Sequence, residues 1–386
     1  MSAPAVLVIN AGSSSIKFAL YQVNTSGDAQ PWQRGQADGL GGADARFLVD
    51  GNARAMSGND HRSAMETLLA WLEDALGDQP LLAAGHRVVH GGTRYHAPVH
   101  LTDPIIAELQ DLEGLAPLHQ PHNLLPVRLL AELRPNLPQV ACFDTAFHRT
   151  QPWYSERFAI PRDYADAGIL RYGFHGLSYQ YMARWMHAQR PDLYRGRIIV
   201  AHLGNGASLC AMRNGQSQAT SMGFTALDGL PMGQRCGTID PGVVLHLIRQ
   251  RGMTAEAVED LLYRRSGLLG MSGISHDVRT LLASDAEAAK EALTIYCYRA
   301  AREIASLVAA LGGLDGLIFT AGVGEHAAPV RASICERLAW LGIDLDDERN
   351  TGNAGCISAD GTLPVLVVPT DEEGEIARET LALIQG

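Results

Sequence analysis

Short apolar runs of strand length alternate along this chain with longer stretches of helical spacing. The apolar runs that predict strands lie at residues 5–23, which form two strands joined by a turn, and at Leu81–Val89, Gln139–Phe143, Leu314–Thr320 and Leu363–Val368. A weaker strand signal lies at Arg46–Val49, within the polar segment Gly27–Asn59. Strands that alternate with helices predict an α/β architecture.

Apolar residues recur at helical spacing in the intervening segments. Ser284–Leu311 predicts the clearest helix, with Ser284 and Glu287 as a capping box and Gly312-Gly313 at its end. The other predicted helices are His61–Leu76, Pro104–Leu115, Asp240–Arg251, one from Pro329 onward, and one opened by the acidic residues after Thr370. Prolines 117, 121 and 126 predict a loop before Val127–Leu133.

One design occurs twice in the chain. Val6–Leu20 (VLVINAGSSSIKFAL) and Ile198–Met212 (IIVAHLGNGASLCAM) each carry an apolar run, a polar residue, a glycine turn and a second strand-like run. Asn10 and His202 are equivalent and lie 192 positions apart, about half of the 386-residue length. A glycine turn between strands lets backbone N–H groups approach an anion closely. The repeat therefore predicts two homologous lobes with a phosphorylated ligand held between them.

Composition limits the classes of protein that this chain can represent. With 46% hydrophobic and 19% charged residues, each half can bury a core of ordinary size. The net charge of −11 argues against a nucleic-acid surface, although arginines and helix ends can still hold an anion locally. The six cysteines are scattered without CxxC spacing and are interpreted as reduced core thiols. Neither a signal peptide nor a membrane span is predicted, so we expect a cytoplasmic protein.

Three glycine-containing turns follow predicted strands. The first surrounds Gly12 with serines and Lys17, which suit phosphate oxygens and a hydrated cation. The second is His202–Gly206, and the third, Gly322–Glu325, lies where an α/β sheet binds ligands. Taken alone, the first turn fits a polar surface hairpin almost as well. Its duplication favours ligand binding, and the three turns together indicate a nucleotide.

Several charged residues lie near glycines or strand ends. Arg87 and Arg235 are placed to clamp a carboxylate or phosphate, and His175 has a similar setting, although each arginine alone fits a surface ion pair as well. Asp144 follows a buried strand, where a carboxylate among cations needs a metal or an arginine. Asp144 and Glu372 are therefore candidate Mg²⁺ ligands, and Glu372 equally suits a helix N-terminus.

Other catalytic and metal-binding patterns are missing from the sequence. The pairs His86/His90 and His119/His122 occur without an HExxH motif or a cysteine–histidine set, so zinc is disfavoured. Neither a GxSxG motif nor a Walker A motif occurs.

Long motifs occur in a characteristic order. They are NAGSSSIKF (10–18), GHRVVHGG (85–92), FDTAFH (143–148), YGFHG (172–176), HLGNGAS (202–208), TSMGFTALDGLPMGQRCGTIDPG (220–242), TAGVGE (320–325) and PTDEE (369–373). In this order the chain resembles the acetate kinase family, within the acetate and sugar kinase, Hsp70 and actin superfamily. The resemblance implies duplicated α/β domains of the ribonuclease H-like, actin-like ATPase type with an interdomain cleft. It places an N-terminal lobe at residues 1–146 plus 370–386 and a nucleotide-binding C-terminal lobe at residues 147–369.

The resemblance also assigns roles to individual residues. The catalytic positions are Asp144, His175, Arg235 and Arg87, of which His175 and Arg235 stabilise the transferring phosphoryl group. Asn10 and Glu372 match the metal-associated pair. Substrate contacts are Lys17 and Arg87, with Val89, Leu118 and Phe174 as the apolar pocket for the acyl methyl. Nucleotide contacts are His202, Leu203, Gly204, Asn205, Gly206, Asp277, Val278, Arg279, Gly322, Val323, Gly324, Glu325 and His326.

The implied reaction is the reversible, Mg²⁺-dependent transfer of the ATP γ-phosphate to acetate, giving acetyl phosphate and ADP. The resemblance further implies a homodimer, with Mn²⁺ as a substitute ion, whereas the net charge and the lack of a predicted membrane span argue against nucleic-acid and membrane partners. A carboxylate with a pKa near ~4–5 is already ionised at pH 7 and needs no strong base. Asp144 is therefore expected to orient Arg235 or a metal-bound water rather than to remove a proton.

Three positions depart from the family pattern. His326 and Asp371 stand where the family usually has asparagine, and Ala226 stands where a proline often lines the acyl pocket. The smaller alanine predicts a roomier pocket that accepts propionate as well as acetate. The alternatives are a propionate or other short-chain acyl kinase and, from another class, a nucleotide-switch ATPase that hydrolyses ATP without an acyl acceptor.

Overall fold

The computed structural model describes residues 3–117 and 119–386. The chain divides into two compact units. The first comprises the chain up to Phe147 together with Asp371–Gly386, and the second comprises His148–Thr370. Within the described residues, each unit is built on one β-sheet with helices packed against it.

The sheet of the first unit has eight strands in the described part of the chain. They are β1 (Ala5–Ala11), β2 (Ser15–Val23), β3 (Ala29–Asp38), β4 (Arg46–Val49), β5 (Asn52–Arg54), β6 (Leu81–Val88), β7 (Val99–His100) and β8 (Gln139–Phe143). Their order is β5-β4-β3-β2-β1-β6-β8-β7, with β6 parallel to both β1 and β8. Every residue of β8 is buried, as expected for an inner strand covered on both faces, although it is parallel to β6 and antiparallel to β7.

The described residues of this unit before Phe147 form the helices α1 (His61–Leu76), α2 (Asp103–Asp111) and α3 (Gln120–Leu133), with a 3-10 turn at Leu112–Leu115. The prediction of a loop before Val127 is wrong, because α3 already begins at Gln120. Pro121 lies in the first turn, where no backbone N–H is needed, and Pro126 removes one hydrogen bond inside the helix. Burial of the apolar face around Leu124 and Val127 outweighs that loss.

The second unit contains β9 (Arg197–Leu203), β10 (Ala207–Arg213), β11 (Gln216–Thr220), β12 (Gly316–Thr320) and β13 (Val365–Val367). Their order is β11-β10-β9-β12-β13, which repeats the order β3-β2-β1-β6-β8 of the first unit. Antiparallel and parallel pairings also match, since β9 pairs antiparallel with β10 and parallel with β12. The predicted duplicated α/β fold is confirmed.

The two equivalent hairpins differ in the length of their turns. Ala11 pairs with Ile16 across the first turn, and Leu203 pairs with Ala207 across the second, which is one residue shorter. As a result, the partner of Asn10 is Lys17, whereas the partner of the equivalent His202 is Ser208. The offset of 192 positions therefore holds for the first strands and changes by one after the turns.

Helices of the second unit are mostly short. They are α4 (Trp153–Glu156), α5 (Arg162–Asp166), α6 (Gly176–Gln189), α7 (Pro191–Tyr194), α8 (Pro241–Arg249), α9 (Ala255–Arg264), α10 (Gly267–Ser272), α11 (Val278–Leu282), α12 (Glu287–Leu311), α13 (Ala321–His326), α14 (Ala328–Glu336) and α15 (Asp347–Thr351). Two further 3-10 turns lie at Ala146–Thr150 and Ala339–Leu341, and α16 (Glu372–Gln385) returns the chain to the first unit. None of the helices in residues 3–117 and 119–386 has both the length and the apolarity to cross a membrane.

Two predictions of local structure need correction. Helix α12 ends at Gly312 in the left-handed conformation as expected, but it begins at Glu287 after Ala286. The Ser284 hydroxyl instead accepts from the N–H of Ala286 at 3.3 Å, so no capping box forms. The segment Gly322–Glu325 is not a turn before a distant helix, because it already lies within α13.

Candidate active site

Asn10 and Lys17 face each other across the first hairpin. Asn10 lies near the end of β1 and is directly paired with Lys17 of β2. Gly12 closes the turn by donating its N–H to the carbonyl of Ser15 at 2.8 Å. An amide and an exposed ammonium therefore stand together at one end of the sheet.

Arg87 and Asp144 form the central ion pair of the first unit. Arg87 is paired with Cys142 on the neighbouring strand, so Asp144 follows immediately beyond the end of β8. Arg87 Nε donates to Asp144 Oδ1 at 3.2 Å, and Nη2 donates to Oδ2 at 2.5 Å. The third nitrogen, Nη1, donates to the Asn10 amide oxygen at 3.3 Å. Burial opposes the charge of Arg87, but Asp144 and Glu372 raise its pKa by more.

Glu372 is the first residue of α16, whose N-cap is Asp371. The Asp371 carboxylate accepts from the N–H of Gly374 at 3.0 Å and thereby satisfies the helix terminus. Burial raises the pKa of Glu372, while Arg87 and Lys17 oppose that rise. The Glu372 carboxylate therefore lies within the electrostatic influence of both cations. We name Asn10, Lys17, Arg87, Asp144 and Glu372 the Arg87 cluster.

The Arg87 cluster has a donor set that suits magnesium. The described residues contain no group of three or more histidine, cysteine, aspartate and glutamate side chains able to hold a metal. Mg²⁺ is usually bound by one or two carboxylates, with substrate phosphates and water completing the shell. One partly buried carboxylate, Glu372, and one amide oxygen, Asn10, fit that pattern.

Two histidines stack against each other in the second unit. The ring centroids of His175 and His202 are 4.2 Å apart, and the rings are inclined by 16°. His175 Nδ1 lies 2.8 Å from the hydroxyl of Ser208, and His202 Nδ1 lies 2.9 Å from the hydroxyl of Ser178. Each ring is thus fixed at one nitrogen by a serine.

Arg235 lies beside the edge of this histidine pair. A Cβ atom placed on Gly206 would be 3.2 Å from His175 Nε2 and 3.6 Å from Arg235 Nη2. The imidazole and the guanidinium therefore both border the backbone of the second glycine turn, where an added methyl group would crowd the imidazole. Arg235 Nη1 also donates to the carbonyl of Ala226 at 2.8 Å.

A cavity of about 550 Å³ in the second unit is lined by three separate segments. The segments are the glycine turn, the start of α11 and helix α13, and their lining residues are Gly204, Asn205, His276, Asp277, Val278, Arg279, Leu282, Gly322, Val323, His326, Ala327 and Pro329. Arg279 Nη2 pairs with Asp277 Oδ2 at 2.7 Å on the rim. The volume is that of a small-molecule site with an apolar wall and a polar edge.

The remaining assigned positions lie at varied depths. Leu203 is buried in β9, and the Glu325 carboxylate accepts from the N–H of Thr370 at 3.3 Å. Val89 belongs to the first unit and Phe174 to the second, and both are buried. Leu118 lies outside the described residues.

Sequence reasoning missed two kinds of residue at this site. The hydroxyls of Ser178, Ser208 and Tyr179 support the histidine pair, although buried serines carry no pattern of their own. Ala321 adopts φ +64° and His175 adopts φ +58°, in the left-handed region that residues other than glycine adopt uncommonly and that alanine adopts least readily of the two. Such strain clusters at functional sites, and no sequence signal reports it.

The glycine-bordered cations, the cavity and the duplicated α/β sheets together define a nucleotide-dependent phosphotransferase. Members of this class act mainly by positioning anions and neutralising their charge. The chain belongs to the acetokinase family, whose family model matches residues 5–378. Kinases of this family use ATP and a small-molecule acceptor.

Close relatives agree with this membership. The chain is 51% identical to the acetate kinase of Rhodopseudomonas palustris (strain ATCC BAA-98 / CGA009), over 99% of this chain and 98% of the relative. It is 46% identical to that of Rhizobium meliloti, over 98% of each.

Solved structures show the same fold. A propionate kinase from Francisella tularensis superposes with a TM-score of 0.91 at 35% identity, covering 97% of this chain and 98% of that one. The acetate kinase of Porphyromonas gingivalis gives a TM-score of 0.89 at 36% identity over all of both chains.

Proposed function

We propose that this protein catalyses the reversible transfer of the ATP γ-phosphate to acetate, giving acetyl phosphate and ADP. The observation that carries the proposal is the cavity of the second unit. Its lining comes from the same three segments that the sequence assigned to the nucleotide. Convergence of distant segments on one nucleotide-sized space supports a binding role for them. The nucleotide is accordingly assigned to the second unit and the acyl group to the Arg87 cluster.

The chemistry requires neutralisation of charge rather than a strong base. Acetate is ionised at neutral pH and attacks phosphorus as a carboxylate, so the principal barrier is the approach of two anions. Arg87, Arg235 and His175 supply groups that stabilise the charge developing on the transferring phosphoryl group. The two-point contact of Asp144 with Arg87 supports a role for Asp144 in orienting this guanidinium. From the sequence alone, the predicted partner of Asp144 is Arg235 or a metal-bound water.

Mg²⁺ completes the proposed chemistry. Glu372 is the proposed ligand, and Asn10, whose amide oxygen is already directed toward Arg87, would contact the ion's hydration shell. When bound, the ion offsets the negative charge of the nucleotide phosphates. Mn²⁺, which also prefers oxygen ligands, is the expected substitute.

The acyl pocket is proposed to admit propionate. Val89, Leu118 and Phe174 are the assigned apolar contacts, and Ala226 replaces the bulkier proline of many relatives. One additional methylene changes binding by only ~1–3 kcal/mol, so a small change in pocket volume is sufficient. The structural likeness to a propionate kinase is consistent with this extension.

We also propose that the protein acts as a homodimer in the cytoplasm. Helix α8 has an apolar sequence but no buried residue in the single chain. Val243, Leu245 and Ile248 on this helix are 42%, 49% and 38% exposed. An apolar helix left uncovered favours association with a second copy. Light scattering should give twice the chain mass, and Leu245→Glu should convert the protein to a monomer.

Hydroxylamine trapping of acyl phosphate tests the proposed reaction. Acetate, propionate and butyrate are compared side by side with ATP, with and without Mg²⁺. Acyl hydroxamate should form with acetate and propionate and should require the metal. ATP hydrolysis that is independent of any carboxylate would overturn the proposal and would favour the nucleotide-switch alternative.

A further inference from the structure

Both histidines of the stacked pair are backed by two hydroxyl groups in series. The Ser208 hydroxyl lies 2.8 Å from His175 Nδ1, and the phenol oxygen of Tyr179 lies 2.5 Å from that hydroxyl. Likewise, the Ser178 hydroxyl lies 2.9 Å from His202 Nδ1 and 2.9 Å from the hydroxyl of Thr370. Ser208, Tyr179 and Ser178 are completely buried, so these contacts are not exchanged for bulk water.

The relative acidity of the hydroxyl groups determines the direction of the hydrogen bonds that join Tyr179, Ser208 and His175. A phenol is more acidic than an aliphatic alcohol, so the Tyr179 O–H is the better donor and Ser208 Oγ accepts from it. Ser208 has only one hydroxyl proton, which is then directed to His175 Nδ1. A neutral imidazole that accepts at Nδ1 must carry its proton at Nε2.

The surroundings of His175 Nε2 indicate what the Nε2–H tautomer can do, which is to donate a hydrogen bond to a phosphoryl oxygen. The same Gly206 backbone borders His175 Nε2 and Arg235 Nη2. A phosphoryl oxygen at this place meets an N–H donor if Nε2 is protonated and a lone pair if it is not. Close stacking on His202 also favours the neutral form of His175, since two stacked imidazolium rings would repel each other.

We propose that Ser208 is a positioning residue that holds His175 in the neutral Nε2–H tautomer. Tyr179 donates to Ser208, Ser208 donates to His175 Nδ1, and His175 Nε2–H donates to the transferring phosphoryl group. The last of these contacts rests on the proposed function, whereas the tautomer itself does not. Ser208 acts through His175 and does not contact the reacting atoms.

Nitrogen NMR of the imidazole rings tests the tautomer without reference to activity. The full-length protein is prepared with ¹⁵N-labelled histidine, and His175 is assigned by the signals missing from His175→Gln. The unsubstituted protein should show a protonated Nε2 and an unprotonated Nδ1. Ser208→Ala should move both signals toward the average of the two tautomers, and Ser208→Thr, which keeps a hydroxyl, should restore the original pattern.

Kinetics supply the second measurement. Ser208→Ala should lower kcat by about tenfold or more, below the 10²–10³-fold typical for a direct donor, with KM for ATP and acetate nearly unchanged. Ser358→Ala is the matched control, since Ser358 is also buried and its hydroxyl lies 3.5 Å from Cys356 Sγ instead of a histidine. That control should keep both the spectrum and kcat.

The possible results separate the two proposals. A protonated Nδ1 in the unsubstituted protein, or an unchanged His175 spectrum in Ser208→Ala, overturns the positioning role of Ser208. Full kcat in His175→Gln would instead overturn the phosphoryl contact in the proposed function, and the NMR result for Ser208 would stand by itself.

Discussion

Asp144 holds Arg87 at two points, through Nε at 3.2 Å and through Nη2 at 2.5 Å, so the guanidinium plane has one orientation. Asp144 is 1% exposed and Arg87 is 22% exposed, which means that the carboxylate lies beneath and the cation lies toward the solvent side. A fixed cation costs no reorganisation when charge develops beside it.

Asp144→Asn should lower kcat by about 10²–10³-fold, because the single amide oxygen of asparagine cannot accept from both Nε and Nη2 and Arg87 loses its orientation. Steady-state kinetics with saturating ATP and acetate measure the effect. Arg190 and Asp192 form a similar two-point pair at the surface, with 3.0 and 2.7 Å contacts. Asp192→Asn is the matched control and should behave like the unsubstituted enzyme. Retention of more than a tenth of kcat in Asp144→Asn would argue against the orienting role.

Gly206→Ala should reduce kcat/KM by at least tenfold, because its methyl group would lie 3.2 Å from His175 Nε2 and 3.6 Å from Arg235 Nη2. The substitution adds no strain from a positive φ at this position. Gly355→Ala is the control, since nothing lies within 4 Å of the added atom there. Equal kinetics for the two variants would contradict the assignment of this space to the phosphoryl group.

Ala226→Pro should shift selectivity toward acetate, because the bulkier ring narrows the acyl pocket. The ratio of kcat/KM for acetate to that for propionate should rise by about 10-fold, within the ~1–3 kcal/mol that one methylene can contribute. In the unsubstituted protein, a propionate value more than about a hundredfold below that for acetate would show that the pocket is not roomier.

Leu282→Trp should raise the KM for ATP by about tenfold and leave the KM for acetate unchanged, because the larger ring occupies the cavity of the second unit. Ile160→Trp is the control, as Ile160 is 47% exposed and does not line that cavity. A parallel rise in both Michaelis constants would indicate general disturbance of the unit instead of nucleotide displacement.

His86 should make stability depend on pH. It is 1% exposed, and burial lowers its pKa to about 4, with Gln139 opposing the shift. The unfolded chain binds the proton more readily than the folded protein does. The free energy of unfolding is therefore unaffected by protonation of His86 above pH 6.5 and decreases as the pH falls from 6.5 toward 4. Urea unfolding at pH 7 and pH 4.5 should show His86→Leu losing about 2 kcal/mol less than the unsubstituted protein. An identical loss in both would refute this role of His86.

Much of the fold follows from the apolar pattern. Strand β8 and helix α1 have the bounds that the sequence predicted, because each combines a continuous apolar run or stripe with clear end signals. Strand β3 was missed, since its burial alternates irregularly and it lies in a polar segment. The proline-rich start of α3 was read as a loop because local propensity opposed a helix that tertiary burial stabilises.

The site was predictable to a different degree. Arg87 and Asp144 were found separately from their glycine and strand-end settings, but their mutual contact depends on the register of β6 against β8. Two of the nucleotide segments, His202–Gly206 and Gly322–Glu325, could be predicted from their glycines at strand ends, whereas Asp277–Arg279 came from the family resemblance alone. Ser208 and Tyr179 could not be found, because a buried hydroxyl gains its role only from the ring placed next to it.

A single-residue difference in loop length separates the two hairpins, and it places different chemical groups at equivalent positions of the two halves. Comparison of the halves at a rigid spacing aligns Lys17 with the apolar Leu209, whereas the hydrogen-bonded ladders align it with Ser208. Shortening a loop by one residue exchanges the set of side chains that the following strand presents on a given face of the sheet. The position that carries an ammonium in one half therefore carries a hydroxyl in the other, while both ladders stay intact.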